Sequence, residues 1–287
     1  MKPIKKPFTL SIYSLLLVIV LVFAACKDPI TPGPCANGHD WSEWTVTDAT
    51  ETEDGAQTRI CQRDNSHTET RVLHATGTAG LAYTLINSNT EYGVESGTIM
   101  SGAVAIPAFH RADEDSPYLP VTEIAYSAFM YQSGITSVTI PASVKEIRNL
   151  AFSLCSNLAT VTFAENSQLE SIGDEAFSSS TALKNITIPA SVKTIGDGAF
   201  MSCSNLATVT FAEGSKLETI GFQAFGSTAI KNIEIPASVK TIGIEAFYGW
   251  TASQTITVLG HADKESADKA WYNWRDGCDA IIIYNTP

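Results

Sequence analysis

The sequence predicts a β-rich solenoid, a fold in which short repeated units stack around one continuous core. The first observation behind this prediction is an Ile and a Phe separated by four residues, a pair that recurs six times: Ile124/Phe129, Ile147/Phe152, Ile172/Phe177, Ile195/Phe200, Ile220/Phe225 and Ile242/Phe247. Successive Phe residues are 23, 25, 23, 25 and 22 positions apart. A period in this range is typical of repeat proteins, in which each unit buries its apolar side against its neighbours.

The second observation is the alternation of apolar and polar residues inside each unit. Ile186 and Ile188 alternate with Asn185 and Thr187. Because strand side chains point alternately to two faces, this pattern predicts a strand with one buried face. Pro189 follows and has no backbone N–H to donate, so it ends the strand.

The rest of the unit predicts two further short segments. Val192 and Ile195 indicate a second extended piece, and Gly196 turns the chain. Ala199 and Phe200 are expected on a single turn of α- or 3₁₀-helix, too short to be stable alone. Stacking then places the six Phe rings in one row through the core, beside a row of Ile side chains.

Two different segments alternate along the repeats. One reads VTIPASVKEI at Val138–Ile147 and returns, slightly changed, at Ile186–Ile195 and Ile233–Ile242. The other reads LATVTFAE at Leu158–Glu165 and again at Leu206–Glu213. This near-identity at a distance of two units indicates that a pair of units was duplicated.

At these residues the chain resembles the BspA-like, treponemal-type leucine-rich repeat family. Its pattern is met closely by LKNITIPASVKTIGDGAFMSC at Leu183–Cys203, and the resemblance extends from Gly80 to the end of the chain. It implies a right-handed leucine-rich-repeat solenoid with short strands and single helical turns. The family is found on bacterial surfaces, and some members bind host matrix and plasma proteins or mediate coaggregation. Fold alone does not fix function, so binding is an expectation here.

Residues 1–25 are predicted to be a signal peptide, because a basic start precedes an apolar run and small residues. They resemble a bacterial lipoprotein signal, which implies that Cys26 becomes the first mature residue and carries a lipid. Ordinary secretion and an uncleaved membrane anchor are the alternatives. Residues 26–34, rich in Pro, are expected to form a tether. The implied location is the bacterial envelope, at the outer membrane or the cell surface.

The charge balance excludes two classes of partner. The formal net charge is −12, and removal of three lysines with the signal peptide takes it to −15. A strongly acidic chain attracts neither nucleic acid nor an anionic membrane surface.

The remaining segments have different compositions. We expect a small Cys/His/Trp module at 35–75, an N-terminal cap at 79–101, leucine-rich repeats at 102–254 and a C-terminal helix-strand cap at 255–287. In this last cap, a helical stripe of Ala267, Ala270, Trp271 and Trp274 is expected to cover the open end of the solenoid. A carbohydrate-stacking platform is the alternative function for these tryptophans.

The small module contains candidate metal ligands. Cys35, His39, Cys61 and His67 supply the thiolate and imidazole groups that zinc binds tetrahedrally. The module resembles a Cys/His repeat that often precedes such leucine-rich domains, but Asp64 stands where that repeat has its second Cys. Outside the cytoplasm, a disulfide between Cys35 and Cys61 is an alternative. Zinc, a disulfide and neither remain open, and no other cofactor is expected.

The polar side of the strands is the candidate ligand face. Its members carry hydroxyl, amide and carboxylate groups: Ser137, Thr139, Thr160, Thr162, Asn185, Thr187, Thr208, Thr210, Asn232, Glu234, Thr255 and Thr257. In a regular sheet these side chains recur about 4.8 Å apart across strands, over a face about 24 Å long. Such a face is smaller than the roughly 800 Å² per partner of a standard interface, which favours weak, multivalent binding. Thr also suits a strand by itself, so a structural role is the alternative.

The sequence offers no catalytic constellation. It contains no nucleophile elbow, HExxH motif or phosphate-binding Gly loop. Cys155 and Cys203 are two units apart, too far for a disulfide, and are expected to be buried.

We therefore expect a non-enzymatic cell-surface lipoprotein whose solenoid binds an extracellular protein. The alternative is a structural or periplasmic envelope lipoprotein with no host ligand. An enzyme working through the Cys/His module is a third hypothesis.

Overall fold

A computed structural model describes residues 38–47, 49–50 and 54–285. The predicted signal peptide and tether, the lipidation residue Cys26 and the candidate ligand Cys35 lie outside these residues. By compactness the described residues divide into two units, one of residues 38–45 and 58–70 and one of residues 46–57 and 71–285. A three-stranded sheet with the order β1-β2-β3 contains the strands β1 (Thr45–Thr47), β2 (Gly55–Cys61) and β3 (Asp64–Leu73).

The predicted β-rich solenoid with short strands is confirmed, and it contains one short helix. Its elements are, in chain order, β4 (Leu81–Ile86), β5 (Glu91–Ser96), β6 (Gly102–Ala105), β7 (Phe109–His110), β8 (Leu119–Ile124), β9 (Ile135–Ile140), β10 (Glu146–Ile147), β11 (Thr160–Phe163), β12 (Ser171–Ile172), β13 (Asn185–Ile188), β14 (Thr194–Ile195), β15 (Thr208–Phe211), β16 (Thr219–Ile220), β17 (Asn232–Ile235), β18 (Thr241–Ile242), β19 (Thr255–Leu259), α1 (Lys264–Ala270) and β20 (Ile281–Asn285).

The short strands form one uninterrupted parallel sheet. Its order is β8-β10-β12-β14-β16-β18, and each strand ends on the Ile of the repeated pair. These Ile residues are in register from coil to coil and buried. The predicted row of Ile side chains is therefore confirmed.

An antiparallel hairpin closes the N-terminal end of this sheet. Its strands β4 and β5 are joined by a 3₁₀ turn at Asn87–Asn89, and β5 pairs in parallel with β8. Tyr92 and Val94 on β5 are buried in the core. The hairpin thus covers apolar surface that the first coil would otherwise expose.

The six Phe rings form the predicted row. All are fully buried, and neighbouring ring centroids lie 5.1, 5.2, 5.4, 5.6 and 5.9 Å apart, with interplanar angles of at most 12°. At the C-terminal end the rings of Trp250 and Trp274 pack edge-on against Phe247. Each aromatic contact of this kind contributes about 0.5–1.5 kcal/mol beyond the burial of its area.

The predicted helical turn around each Phe is wrong. The backbone N–H of Ala199 bonds to Gly196 three residues back, but the N–H of Phe200 bonds to the carbonyl of Ala224 in the next coil. Because alternate donors point to the neighbouring coil, a helical hydrogen-bond series cannot form. Gly198 and Ser202, with φ of 59° and 60°, provide the left-handed residues that this path requires.

Side chains of the following coil bond to the Phe carbonyls. The thiol of Cys155 donates to Phe129, and the thiol of Cys203 donates to Phe177, both at 3.0 Å. The Ser180 hydroxyl makes the corresponding bond to the Phe152 carbonyl at 2.7 Å. Both cysteines are buried outside any disulfide, as the sequence predicted, and burial raises the pKa of each thiol to about 12.

A ladder of Asn and Asp side chains links successive coils at the turn after the short strand. Asn149 Oδ1 accepts from the N–H of Asp174, and Asp174 Oδ1 accepts from the N–H of Asp197, each at 2.9 Å. Asp197 Oδ1 accepts in turn from Phe222 at 2.7 Å. The ladder ends there, because Phe222 has no side-chain acceptor.

The C-terminal segment covers the last coil with one helix and one strand. Asp263 begins α1 through a capping box with Ser266, a favourable N-terminal arrangement. Trp271 and Trp274 are buried, and β20 extends the sheet in parallel beside β19. Ala270 is exposed, contrary to the predicted four-residue stripe, because α1 ends before Trp271 and the backbone turns there.

Truncation of a central ring is expected to destabilise the whole solenoid. Phe177→Ala removes contacts with two neighbouring rings and leaves a cavity, so the free energy of unfolding should fall by about 3–5 kcal/mol in urea titrations. Tyr126→Ala is the control, because its ring is 64% exposed, and its effect should stay within about 0.5 kcal/mol. Equal losses would contradict the role of the Phe row.

The two core thiols are expected to be unreactive in the folded protein. Alkylation requires a thiolate, and burial with a raised pKa leaves almost none near neutral pH. Mass spectrometry after a pulse of iodoacetamide should find Cys155 and Cys203 modified only when denaturant is added. Rapid modification in native buffer, at the rate of the denatured chain, would show that the coils open.

Candidate binding face of the solenoid

The structure places every residue of the predicted ligand face on the outer side of a long strand. These strands are β9, β11, β13, β15, β17 and β19, and we call their outward side chains the strand face. Its exposed members are Thr160, Thr162, Asn185, Thr187, Thr208, Thr210, Asn232 and Glu234. The four members on β9 and β19 are half-buried.

Hydrogen bonding between strands brings these side chains together in pairs. The paired residues lie directly opposite each other: Ser137/Thr160, Thr139/Thr162, Asn185/Thr208, Thr187/Thr210, Asn232/Thr255 and Glu234/Thr257. Each pair therefore presents two polar groups about one strand spacing, 4.8 Å, apart.

The predicted spacing of about 4.8 Å across all six strands does not hold at two places. The long strands form three separate sheets, β6-β9-β11, β13-β15 and β17-β19-β20. We call the gap between β11 and β13 the first seam and the gap between β15 and β17 the second seam. No ladder crosses either seam, so the regular spacing holds only within each sheet.

Both seams follow a unit that carries the TVTF segment. In these units Phe163 and Phe211 take the position that Ile140 holds in an ordinary unit, and both rings are only partly buried. The next buried Ile comes nine residues after Phe163 but seven after Ile140, which explains the steps of 25 residues. A larger side chain and a longer loop together displace the strand from its neighbour in the next coil.

The serines of the PASV segments differ in hydrogen bonding according to whether a seam precedes them. In the unit without a preceding seam, the Ser143 hydroxyl donates to the Val121 carbonyl at 2.8 Å. The equivalent hydroxyls of Ser191 and Ser238 follow the two longer loops, and each is buried with no hydrogen-bond partner. After the longer loops, therefore, no acceptor among the residues that the structure describes lies within hydrogen-bond distance of these two hydroxyls.

Charged side chains are concentrated at the short strands. Lys193 and Lys240 each reach back one coil, to Glu170 and Glu218, at 2.8 and 2.9 Å. Lys145 reaches Glu91 in the N-terminal hairpin, two strands away, at 2.8 Å. Lys193 holds the pKa of Glu170 below its usual value, but exposed pairs of this kind contribute little stability. The strand face, by contrast, carries one charged residue, Glu234, so its hydrogen-bonding groups must provide most of any recognition.

The small N-terminal unit groups some of the predicted metal ligands. The rings of His39 and His67 are 5.0 Å apart, and Cys61 is buried. His67 Nε2 lies 3.8 Å from Asp64 Oδ2, and His39 stacks on Trp41. Within the described ranges, no three His, Cys, Asp or Glu residues are placed to hold a metal. Because Cys35 lies outside those ranges, zinc, a disulfide and neither all stay predictions.

One arrangement in this unit was not predicted. The Arg59 guanidinium lies 4.8 Å from the ring centre of Trp41 and 4.5 Å from that of Trp44. It also pairs with Glu69. The spacing W-x-x-W was visible in the sequence, but nothing there indicated which cation the two rings would hold.

The family that matches the chain is described as a BspA type leucine rich repeat region, present in six copies over residues 122–254. Among solved structures, the pneumococcal vaccine antigen PcpA is 30% identical with a TM-score of 0.54, over 64% of this chain and 49% of that one. None of the curated proteins matches the chain.

Two further bacterial structures are similar. A leucine rich cell surface protein from Faecalibacterium prausnitzii A2-165 is 29% identical with a TM-score of 0.48, over 64% of this chain and 54% of that one. A leucine-rich repeat protein from Bacteroides capillosus ATCC 29799 is 31% identical with a TM-score of 0.41, over 48% of this chain and 98% of that one. The chain spans about half the length of the pneumococcal and Faecalibacterium proteins. No helix in the described part of the chain is long and apolar enough to cross a membrane.

Removing the hydroxyl of equivalent serines should lower the free energy of unfolding away from a seam but not at a seam. Ser143→Ala deletes a made hydrogen bond and is expected to cost about 1 kcal/mol, measured by urea unfolding. Ser191→Ala removes a buried hydroxyl that has no partner, so it should be neutral or slightly stabilising. A larger loss at Ser191 than at Ser143 would mean that the Ser191 hydroxyl has an acceptor after all.

Proposed function

Residues 122–254 belong to the BspA-type leucine-rich repeat family, and from this premise we propose that the chain is a non-enzymatic surface lipoprotein that binds another protein through its strand face. The observation that carries the proposal is the exposure of eight polar side chains on the strand face. The core side chains of the same strands are buried, so the outward residues are free to vary without loss of the fold.

The dimensions of the strand face favour weak contacts made many times. Its three sheets are each two or three strands wide, and each offers a few hydrogen-bonding pairs rather than a broad apolar patch. A standard interface buries roughly 800 Å² per partner. One solenoid therefore binds its partner weakly, and many copies anchored on one cell surface supply the avidity.

A location at the cell surface fits this mode of binding. The proposed lipid at Cys26 would tether the protein to the outer membrane, and the acidic mature chain would not adhere to anionic lipid head groups. The pneumococcal relative is a vaccine antigen, which is consistent with exposure on a cell surface. The partner is an extracellular protein of the host or of another cell.

The strand face can be tested by removing four of its hydroxyl groups. The variant Thr160→Ala/Thr162→Ala/Thr208→Ala/Thr210→Ala loses polar groups on two strands while the core side chains stay unchanged. Binding of the purified protein to immobilised matrix and plasma proteins should weaken roughly tenfold, which corresponds to about 1.4 kcal/mol.

A matched control removes four hydroxyls from the short strands. The variant Ser171→Ala/Thr194→Ala/Thr219→Ala/Thr241→Ala changes side chains of the same kind on β12, β14, β16 and β18. It should bind as the unchanged protein does. If both variants bind equally well, the strand face is not the binding surface; if the unchanged protein binds none of the targets, the structural envelope role is favoured.

A further inference from the structure

The first seam contains a groove in the surface of the solenoid. Its volume is about 590 Å³, within the range of small-molecule sites. The strand β11 and the loop after it form one wall, and β13 with residues 189–191 forms the other. The groove exists because the ladder between these two strands is missing.

We propose that the first seam is a binding site for a neutral saccharide of one or two rings. This site shares Thr162, Asn185 and Thr187 with the strand face proposed above but takes a different ligand. A disaccharide titration tests it without any protein partner, so its failure and the failure of the proposed function are distinguishable.

The chemistry of the groove matches a ligand rich in hydroxyl groups. Five of its lining side chains end in a hydroxyl or an amide that can both donate and accept: Thr162, Asn166, Ser167, Asn185 and Thr187. A sugar hydroxyl also donates and accepts, so each can be satisfied in either direction. No charged side chain lines the groove, although the chain carries a net charge of −12. The site therefore favours a neutral ligand.

One further feature favours a sugar ring. The half-buried ring of Phe163 offers an apolar surface beside these polar groups, which suits a pyranose with one face of C–H groups.

An inserted peptide strand fits the groove less well. A strand placed between two others requires them to lie two strand spacings apart, about 9.6 Å. Some Cα atoms of β11 and β13 are within 8 Å of each other, so the gap is narrower than that. A saccharide resting in the groove does not require the two coils to separate.

The second seam provides an internal comparison of different chemistry. Phe211, Asn232 and Ser238 repeat the residues of the first seam, but Gly214 replaces Asn166 and Glu234 replaces Thr187. Asn166 and Gly214 both have positive φ, 57° and 71°, so they occupy the same turn conformation. The second seam therefore lacks one amide and gains a negative charge, and it is expected not to bind.

The test uses four neutral disaccharides as probes: maltose, lactose, cellobiose and N,N′-diacetylchitobiose. Titration of the purified protein, followed by NMR, should give a dissociation constant of about 0.1–1 mM for at least one probe. Thr187→Glu and Asn166→Gly import the residues of the second seam, and each should weaken binding roughly tenfold or more. The control Thr241→Glu adds the same charge to the exposed position Thr241 on β18, which does not line the groove, and should leave binding unchanged.

Placing the first seam's residues in the second seam should produce a gain of binding, which damage to the fold cannot produce. Gly214→Asn/Glu234→Thr should create a second site and double the number of bound disaccharides per chain. Unchanged unfolding midpoints would show that all variants are folded. The proposal is overturned if none of the four probes binds, if Thr187→Glu binds normally, or if the anionic trisaccharide sialyllactose binds as tightly as lactose.

Discussion

The close stacking of successive coils at the Phe row is the constraint on which the rest of the structure depends. Rings 5.1–5.9 Å apart fix the distance between neighbouring backbones. At that distance alternate turn N–H groups reach the next coil, the short strands pair, and Cys, Ser and Asx side chains bond across the gap. No single unit contains these bonds, because every one of them has its partner in another unit. The stability of each unit therefore depends on its neighbours in the stack.

Much of the core could be predicted because apolar residues that recur with the repeat period are the ones that become buried. The Ile and Phe rows follow from a spacing that does not change within each pair, and the buried thiols follow from their equivalent positions. The turn geometry could not be predicted in the same way. A short A-F segment resembles a helical turn until the neighbouring coil takes every second N–H, and the Asx ladder likewise depends on that neighbour. The prediction for Ala270 is wrong for a local reason, since α1 ends at Ala270, four residues before Trp274, the last member of the predicted stripe.

In the candidate face, too, features set by one unit could be predicted from the sequence, whereas features that depend on two neighbouring units were missed. Alternation within each strand placed all twelve polar residues on the outside. The seams depend on a comparison between units, namely a Phe in place of Ile and a loop two residues longer. Both signals were present in the sequence as the alternating steps of 23 and 25 residues. The lipidation residue and one candidate metal ligand lie outside the described residues, so their roles rest on the sequence.

The seams give the two sides of the solenoid different freedom to change. The sheet of short strands is continuous, so a substitution there affects the packing of both adjoining coils. Each seam on the opposite side belongs to one block of two coils, and a duplication of that block copies the seam with it. Lengthening the protein by one block therefore adds one more recess, whose lining can diverge while the hydrocarbon interior stays the same. The exchange of Asn166 and Thr187 for Gly214 and Glu234 is such a divergence within a single chain.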